Sequence, residues 1–350
     1  MKNTLSGKYF AAANSYGGFI SYFDKVFNSN NFESIYVLKG GPGTGKSSFM
    51  KKLCENLSDE NTTVEEIYCS SDPNSYDGLI VHRNGKSIAV IDGTAPHERD
   101  AVIPGAVDSI INLGDSLDKK WLRAKRDSIL KLVKEKSDAY RTAYFYLSIA
   151  GIADAEINRK EAESYLHKKS VIKAKSLAES IAIGRDGFIS TRLISSFGKR
   201  GLYSLGTLNE ISETQFSVSG SDGCQRLFMS NLKDALMELS ANTVIFPSPL
   251  SPESIDAIYL PDERISITLR GGSEIINASE LSSINVVDEE RLRVANNMRS
   301  TSLDEAKRWF GIASDIHFRL EEIYGEAMNF ERNDELFDKC LNEINELFSS

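Results

Sequence analysis

The sequence predicts an α/β protein made of two related halves, and three observations carry that expectation. An apolar run, a glycine-rich loop and an amphipathic helix follow one another over residues 35–57. A second apolar run ends in the carboxylate of Asp92. Residues 216–260 then repeat the pattern of residues 37–81 at an offset of 179. Composition agrees. A chain of 350 residues with 41% hydrophobic and 26% charged residues is ordinary globular material, long enough for two domains.

The first element is the run at 35–38, short and rich in β-formers, which suits a buried parallel strand. Gly40-Gly41-Pro42-Gly43-Thr44-Gly45-Lys46-Ser47 follows and fits G-x-x-x-x-G-K-[ST], the phosphate-binding P-loop pattern. Beyond Ser48, the residues Phe49, Leu53 and Leu57 recur at four-residue steps, one face of a helix. Glycines permit backbone conformations that turn successive N–H groups inward on phosphate oxygens, and the helix dipole adds to their pull. In that pattern Lys46 places a charge on the β- and γ-phosphates, and Ser47 offers a hydroxyl to Mg²⁺. The cofactor-binding set expected here is Gly40 through Ser48.

The next pair of strands flanks Arg83-Asn84-Gly85, a hairpin-turn signal. The second of them, Ile88-Ala89-Val90-Ile91-Asp92, ends as a Walker B segment does, which makes Asp92 the expected second Mg²⁺ ligand beside Ser47. No Glu follows Asp92 directly, so either turnover is slow or a base that polarises water comes from elsewhere. Asp72 and Asp77 in SSDPNSYDG, and His97 and Glu98 in GTAPHERD, are the candidates, although both stretches also read as turn-formers. His82, His167 and His317 show no ligand spacing.

In the repeat, Gly220 falls on Gly41, Phe228-Met229 on Phe49-Met50, and Leu232 and Leu236 on Leu53 and Leu57. Lys46, however, is matched by Gln225, Ser47 by Arg226, Gly45 by Cys224 and, after one deletion, Asp92 by Arg270. A half that lacks ammonium, hydroxyl and carboxylate is not expected to hold Mg-nucleotide, and its role reads as structural or regulatory. A sharper alternative makes Arg226, Arg264 or Arg270 an arginine finger acting on the first half's γ-phosphate.

Residues 116–180 look helical, with Leu122, Ile129, Val133, Tyr140, Tyr144 and Leu147 on one apolar face. Within 118–136, eight Lys/Arg stand against three acids, read as the solvated side of a helix. The tail from about 288 to 350 holds the same place in the second half. The expected domains are therefore residues 1–182 and 183–350, each a mainly parallel sheet with flanking helices followed by a helical hairpin.

Other classes are set aside on composition. Forty-one Lys/Arg against 50 Asp/Glu leave a net charge of −9, so a nucleic-acid partner is not expected. No apolar run reaches transmembrane length, and the start lacks an apolar signal region. Cys54, Cys69, Cys224 and Cys340 are scattered without metal or disulfide spacing, so a reduced, cytoplasmic protein is expected.

The segments Gly18-Phe19-Ile20-Ser21-Tyr22, LKGGPGTGKSS (38–48), CSSDPNSYDG (69–78), VIDGTAPH (90–97) and PGAVDSIINLGD (104–115) together resemble an uncharacterised family of bacterial P-loop ATPases built from two tandem P-loop halves. The resemblance is close through residues 7–150 and looser beyond. It implies P-loop cores in both halves and ATP as the ligand, with Lys46, Ser47 and Asp92 on the motif positions. Many members keep a glycine–lysine loop in the second half too, which this chain has lost at Gln225-Arg226. The expected function is Mg²⁺-dependent ATP binding with hydrolysis at one site. A phosphotransferase with its acceptor near Asp72 or Asp77, and a nucleotide-gated binding module without turnover, stand as alternatives. A further small-molecule or protein partner is left open.

Overall fold

Alternate residues of a strand face opposite sides of its sheet, so an unbroken apolar run demands cover on both faces. The computed structural model describes residues 5–283 and 288–350 and shows how that cover is supplied. The first half holds β1 (Gly7–Phe10), β2 (Ala12–Ser15), β3 (Gly18–Ser21), α1 (Phe23–Val26), β4 (Ser34–Lys39), α2 (Lys46–Leu57), β5 (Thr63–Tyr68), β6 (Tyr76–Arg83), β7 (Lys86–Asp92) and β8 (Asp108–Asn112). Helices α3 (Lys119–Ala124), α4 (Arg126–Ala162) and α5 (His167–Ile181) follow. The second half holds β9 (Ile189–Thr191), β10 (Ser195–Gly198), β11 (Gly201–Ser204), α6 (Thr207–Ile211), β12 (Thr214–Ser219), α7 (Asp222–Glu238), β13 (Thr243–Pro247), β14 (Ile255–Leu260), β15 (Ile265–Thr268) and β16 (Ser273–Asn277). Helices α8 (Glu289–Glu326) and α9 (Phe330–Ser349) close the described chain.

The two six-stranded sheets have the same plan. The first runs β1-β5-β6-β7-β4-β8 and the second β9-β13-β14-β15-β12-β16. In each, three pairings are parallel and two antiparallel, at corresponding places. The sheets are thus mixed, because an antiparallel hairpin sits inside each otherwise parallel order. In the first half its turn is Asn84-Gly85, both at positive φ (53° and 76°), as a two-residue hairpin requires. This shared topology is compatible with tandem duplication.

One face of β4 (Ile35, Val37) joins a core that also contains Val244, Phe246, Ala257 and Tyr259 of the second sheet. The halves therefore share buried surface instead of meeting at a wet boundary. The other face (Tyr36, Leu38) lies under Phe49, Met50, Leu53 and Leu57 of α2 and under Phe337, Cys340, Ile344 and Phe348 of α9. Helix α9 belongs to the second half in sequence but covers the first sheet. Reciprocally, Ala174, Leu177 and Ala178 of α5 pack with Phe228, Met229 and Leu232 of α7 on the second sheet. The division at residue 182 separates the two sheets, but each half's last helix has crossed to the other.

The crossing is made by α4 and α8, long antiparallel helices whose seam is mostly small. Ala139, Ala143, Ala150 and Ala153 are buried on α4, and Ala295, Ser302, Ala306 and Ala313 on α8. This corrects the apolar face expected from periodicity. Leu147 is buried, but Val133 is 46% exposed and the buried stripe runs Leu132, Ala139, Ala143, Leu147, Ala150. Alanines carry little weight in a hydrophobic pattern, yet they let two helix axes approach closely. No helix among the described residues is long and apolar enough to cross a membrane.

Candidate functional site

Because β1, β5, β7, β4 and β8 all run the same way, their carboxyl ends bring the segments that follow them to one edge of the sheet. Ligands in open α/β sheets bind at such an edge. The loop from Gly40 to Gly45 joins β4 to α2 here, and Asp92, paired with Leu38, ends the neighbouring strand.

The glycine loop is held by its own side chains. Gly43 and Gly45 have φ of 70° and 86°, a region that disfavours any Cβ. Thr44 is buried, and its Oγ1 donates to the Gly41 carbonyl at 2.8 Å. Lys46, 9% exposed, folds back so that Nζ donates to the carbonyls of Gly40 (2.8 Å) and Gly41 (2.9 Å) and lies 3.6 Å from Asp92 Oδ2. Asp92 Oδ1 accepts from the N–H and hydroxyl of Thr94 at 2.9 and 2.6 Å. The carboxylate thus caps its turn and also faces Lys46. Ser47 Oγ accepts from the Tyr76 N–H at 2.9 Å, while Ser48 is exposed. Among the described residues no group of three or more His, Cys, Asp or Glu side chains is placed to hold a metal. The donors that suit a hard cation here are the Ser47 hydroxyl and the Asp92 carboxylate, and phosphate oxygens would complete its shell.

The candidate bases separate. His97 and Asp77 come together, with His97 Nε2 at 3.3 Å from Asp77 Oδ2 and Nδ1 at 3.0 Å from the Asp92 carbonyl. The ring stacks on Phe23 at 4.2 Å between centroids. Burial alone would lower its pKa, but the Asp77 carboxylate outweighs burial and raises it. Both ring nitrogens face acceptors, so His97 ties Asp77 to the end of β7. Asp72 turns away to Lys199 of the second half, at 3.8 Å. Glu98 is exposed, with no hydrogen bond or ion pair among the described residues. The structure thus brings Lys46, Ser47, Asp92, His97 and Asp77 to one edge and leaves Asp72 and Glu98 aside.

Local sequence reading missed the residues that cover the loop from the second half. A Cβ on Gly43 would collide with the Glu321 carbonyl oxygen, and one on Gly41 would lie 3.1 Å from the Tyr324 ring. Asn333 Nδ2, on α9, donates to the Thr44 carbonyl at 3.0 Å. No local motif marks these residues, because nothing near them in sequence tells which sheet α9 will cover.

The corresponding edge of the second half is filled by the protein itself. Only Gly220 and Ser221 separate β12 from α7, so the helix starts early and no long loop remains. The Gly223 N–H, in its first turn, donates to Glu161 Oε2 of α4 at 2.6 Å. A carboxylate stands where a helix N-terminus would attract an anion, and burial raises its pKa. Arg226 is held by Asp154 (2.7 and 3.2 Å), and Arg264 by Glu213 at 2.6 Å. Arg226 is thereby tethered to α4, and Arg264 within the second half. Arg270 is exposed. The hairpin registers also shift one match: Gly78 pairs Ile91 and Ala257 pairs Thr268, so Leu269 corresponds to Asp92 and Arg270 follows it.

Comparison of the chain with protein-family models, with curated proteins and with solved structures finds no match.

Proposed function

We propose that the chain binds Mg-ATP at Gly40–Ser48 and hydrolyses it there, the two halves being duplicated P-loop cores of which only the first retains a site. The observation that carries this reading is the position of Lys46. Its ammonium rests on the Gly40 and Gly41 carbonyls inside the glycine loop, 3.6 Å from Asp92. A buried cation whose acceptors are mostly neutral carbonyls can exchange them for phosphate oxygens at a net gain. Ser47 and Asp92 would hold a divalent cation, which would neutralise phosphate charge. In hydrolysis the water oxygen forms its bond to the γ-phosphorus as the bond to the bridging oxygen breaks, a water proton passes to a phosphate oxygen, and ADP and inorganic phosphate leave. The second half serves as a scaffold whose α8–α9 hairpin lies on the loop. That contact also favours a second reading, in which occupancy, sensed by the hairpin, is the output and turnover is slow.

The test is Mg-ATP binding followed by thermal unfolding and by phosphate release. Ligand at about 100 times its Kd stabilises by about 2.7 kcal/mol. Losing one charge-assisted contact weakens binding roughly 10- to 100-fold. The Lys46→Ala protein, at the same ligand concentration, is expected to keep at most about half of that stabilisation. Equal stabilisation of both proteins, or none of either, refutes the reading. Binding without phosphate release supports the second one.

A further inference from the structure

The offset that relates α4 to α8 identifies a half-buried cation on α4 that makes no ion pair among the described residues, although its counterpart on α8 makes two. The Asn158 carbonyl lies against Gly223 and the Glu321 carbonyl against Gly43, 163 residues apart along the two helices. The bridges of Tyr165 to Ser282 and Met328 to Leu117 fall at the ends of the same segments, and Met328 follows Tyr165 by the same 163. At that offset Lys136 on α4 corresponds to Arg299 on α8. Arg299 shows where such a side chain goes, donating to Asp154 Oδ1 at 2.8 Å and to Asp222 Oδ2 at 2.9 Å. Asp222 is the first residue of α7, at the closed nucleotide position of the second half.

In the first half the cation remains but its acids are gone. The counterpart of Asp154 is His317, and the counterpart of Asp222 falls on Pro42 or Gly43. Lys136 lies along the buried face of α4 between Leu132 and Ala139, and it is half-buried. No carboxylate comes within 4.0 Å of its ammonium among the described residues. The charged and titratable groups near it are Glu321, whose carbonyl touches Gly43, and His317, which pairs with Glu321 at 3.5 Å. One turn further along the same face, the Tyr140 phenol is set among Ser71, Cys69 and Asp77 at the loop edge. Burial lowers the pKa of Lys136, as expected of an ammonium short of anions.

We propose that Lys136 is a phosphate-sensing residue, whose ammonium contacts the terminal phosphate of a triphosphate seated on Gly40–Ser47 and so distinguishes nucleoside triphosphate from diphosphate. The inference rests on the proposed nucleotide site. The second half carries the same device neutralised, with Asp154 and Asp222 taking the place of the anion. In the first half that place falls to the ligand, and a charge-assisted contact made only to the last phosphate gives preference for the triphosphate.

Calorimetric titration of the full chain with Mg²⁺ and either ADP or the β,γ-imido analogue of ATP tests it. Lys136→Ala and Lys136→Met are expected to bind the triphosphate analogue about tenfold or more weakly, and ADP within about twofold of the original protein. The Met variant keeps the aliphatic stem should the Ala variant fail to fold, and Lys136→Arg is expected to restore the preference. Unchanged binding of both nucleotides, or equal loss of both, overturns the assignment while leaving the nucleotide site standing. If the original protein binds neither nucleotide, the site reading fails first and the role of Lys136 with it.

Discussion

The carboxylate of Asp154 holds the closed edge of the second half, and its removal tests that arrangement directly. The side chain is 3% exposed and accepts from Arg226 at 2.7 and 3.2 Å and from Arg299 at 2.8 Å. These two guanidiniums outweigh burial and hold its pKa below the usual carboxylate range. Asp154→Ala leaves both cations short of a partner. Breaking a fully buried pair costs about 3–5 kcal/mol. The arginine side chains keep 20% and 22% exposure, so water recovers part of this, and about 2–3 kcal/mol is expected here. An unfolding entropy of about 2.1 cal/mol/K per residue, over the whole chain, converts this into a Tm lower by roughly 3–4 °C. Urea unfolding of Asp154→Ala, Arg226→Ala and the double variant should show a coupling of about 1 kcal/mol or more. The pH dependence has a fixed sign. A carboxylate with a depressed folded pKa contributes stability above its unfolded value near 3.8, lost as pH falls below it, and the variant should lack that loss. A stability change under about 0.5 kcal/mol, or additive single effects, would refute the idea that this ion cluster closes the second edge.

Two further outcomes test the site and the exchange of helices. His97 has a raised folded pKa, so its interaction with Asp77 is fully present below about 6.5, the ordinary histidine value, and fades as pH rises through the folded one. Replacing it with Asn should flatten stability above that pH, which unfolding curves collected between pH 6 and 9 will read. Phe337 of α9 is 3% exposed and packs edge-on against Phe49 of α2 at 5.4 Å. Phe337→Ala should cost about 3–5 kcal/mol. Hydrogen exchange should then accelerate in α2, residues 46–57, although the substitution lies in the other half of the sequence. Unchanged exchange there would count against the crossed packing.

Features with short-range causes were legible. Gly40–Ser47 between a strand and a helix, the Asn84-Gly85 turn, and Asp92 at a strand end all follow from local conformational preference and periodicity. The repeat was legible too, since both copies keep the apolar spacing of α2 and α7. The buried face of α4 was only half legible, because its alanines carry almost no hydrophobic signal. The fates of His97, Asp72 and Glu98 were not, because each depends on which partner the fold brings within hydrogen-bonding reach.

The sequence alone therefore determined the α/β class, the repeated apolar pattern and the residue types present at the first loop, because those depend on neighbours a few residues apart. Only tertiary structure decided that α9 covers the first sheet and α5 the second, that Glu161 closes the second helix N-terminus, and that Lys136 lacks the acids that satisfy Arg299. The physical reason is that burial and ion pairing depend on distance in space. An amphipathic helix states that one face must be covered, but not by what.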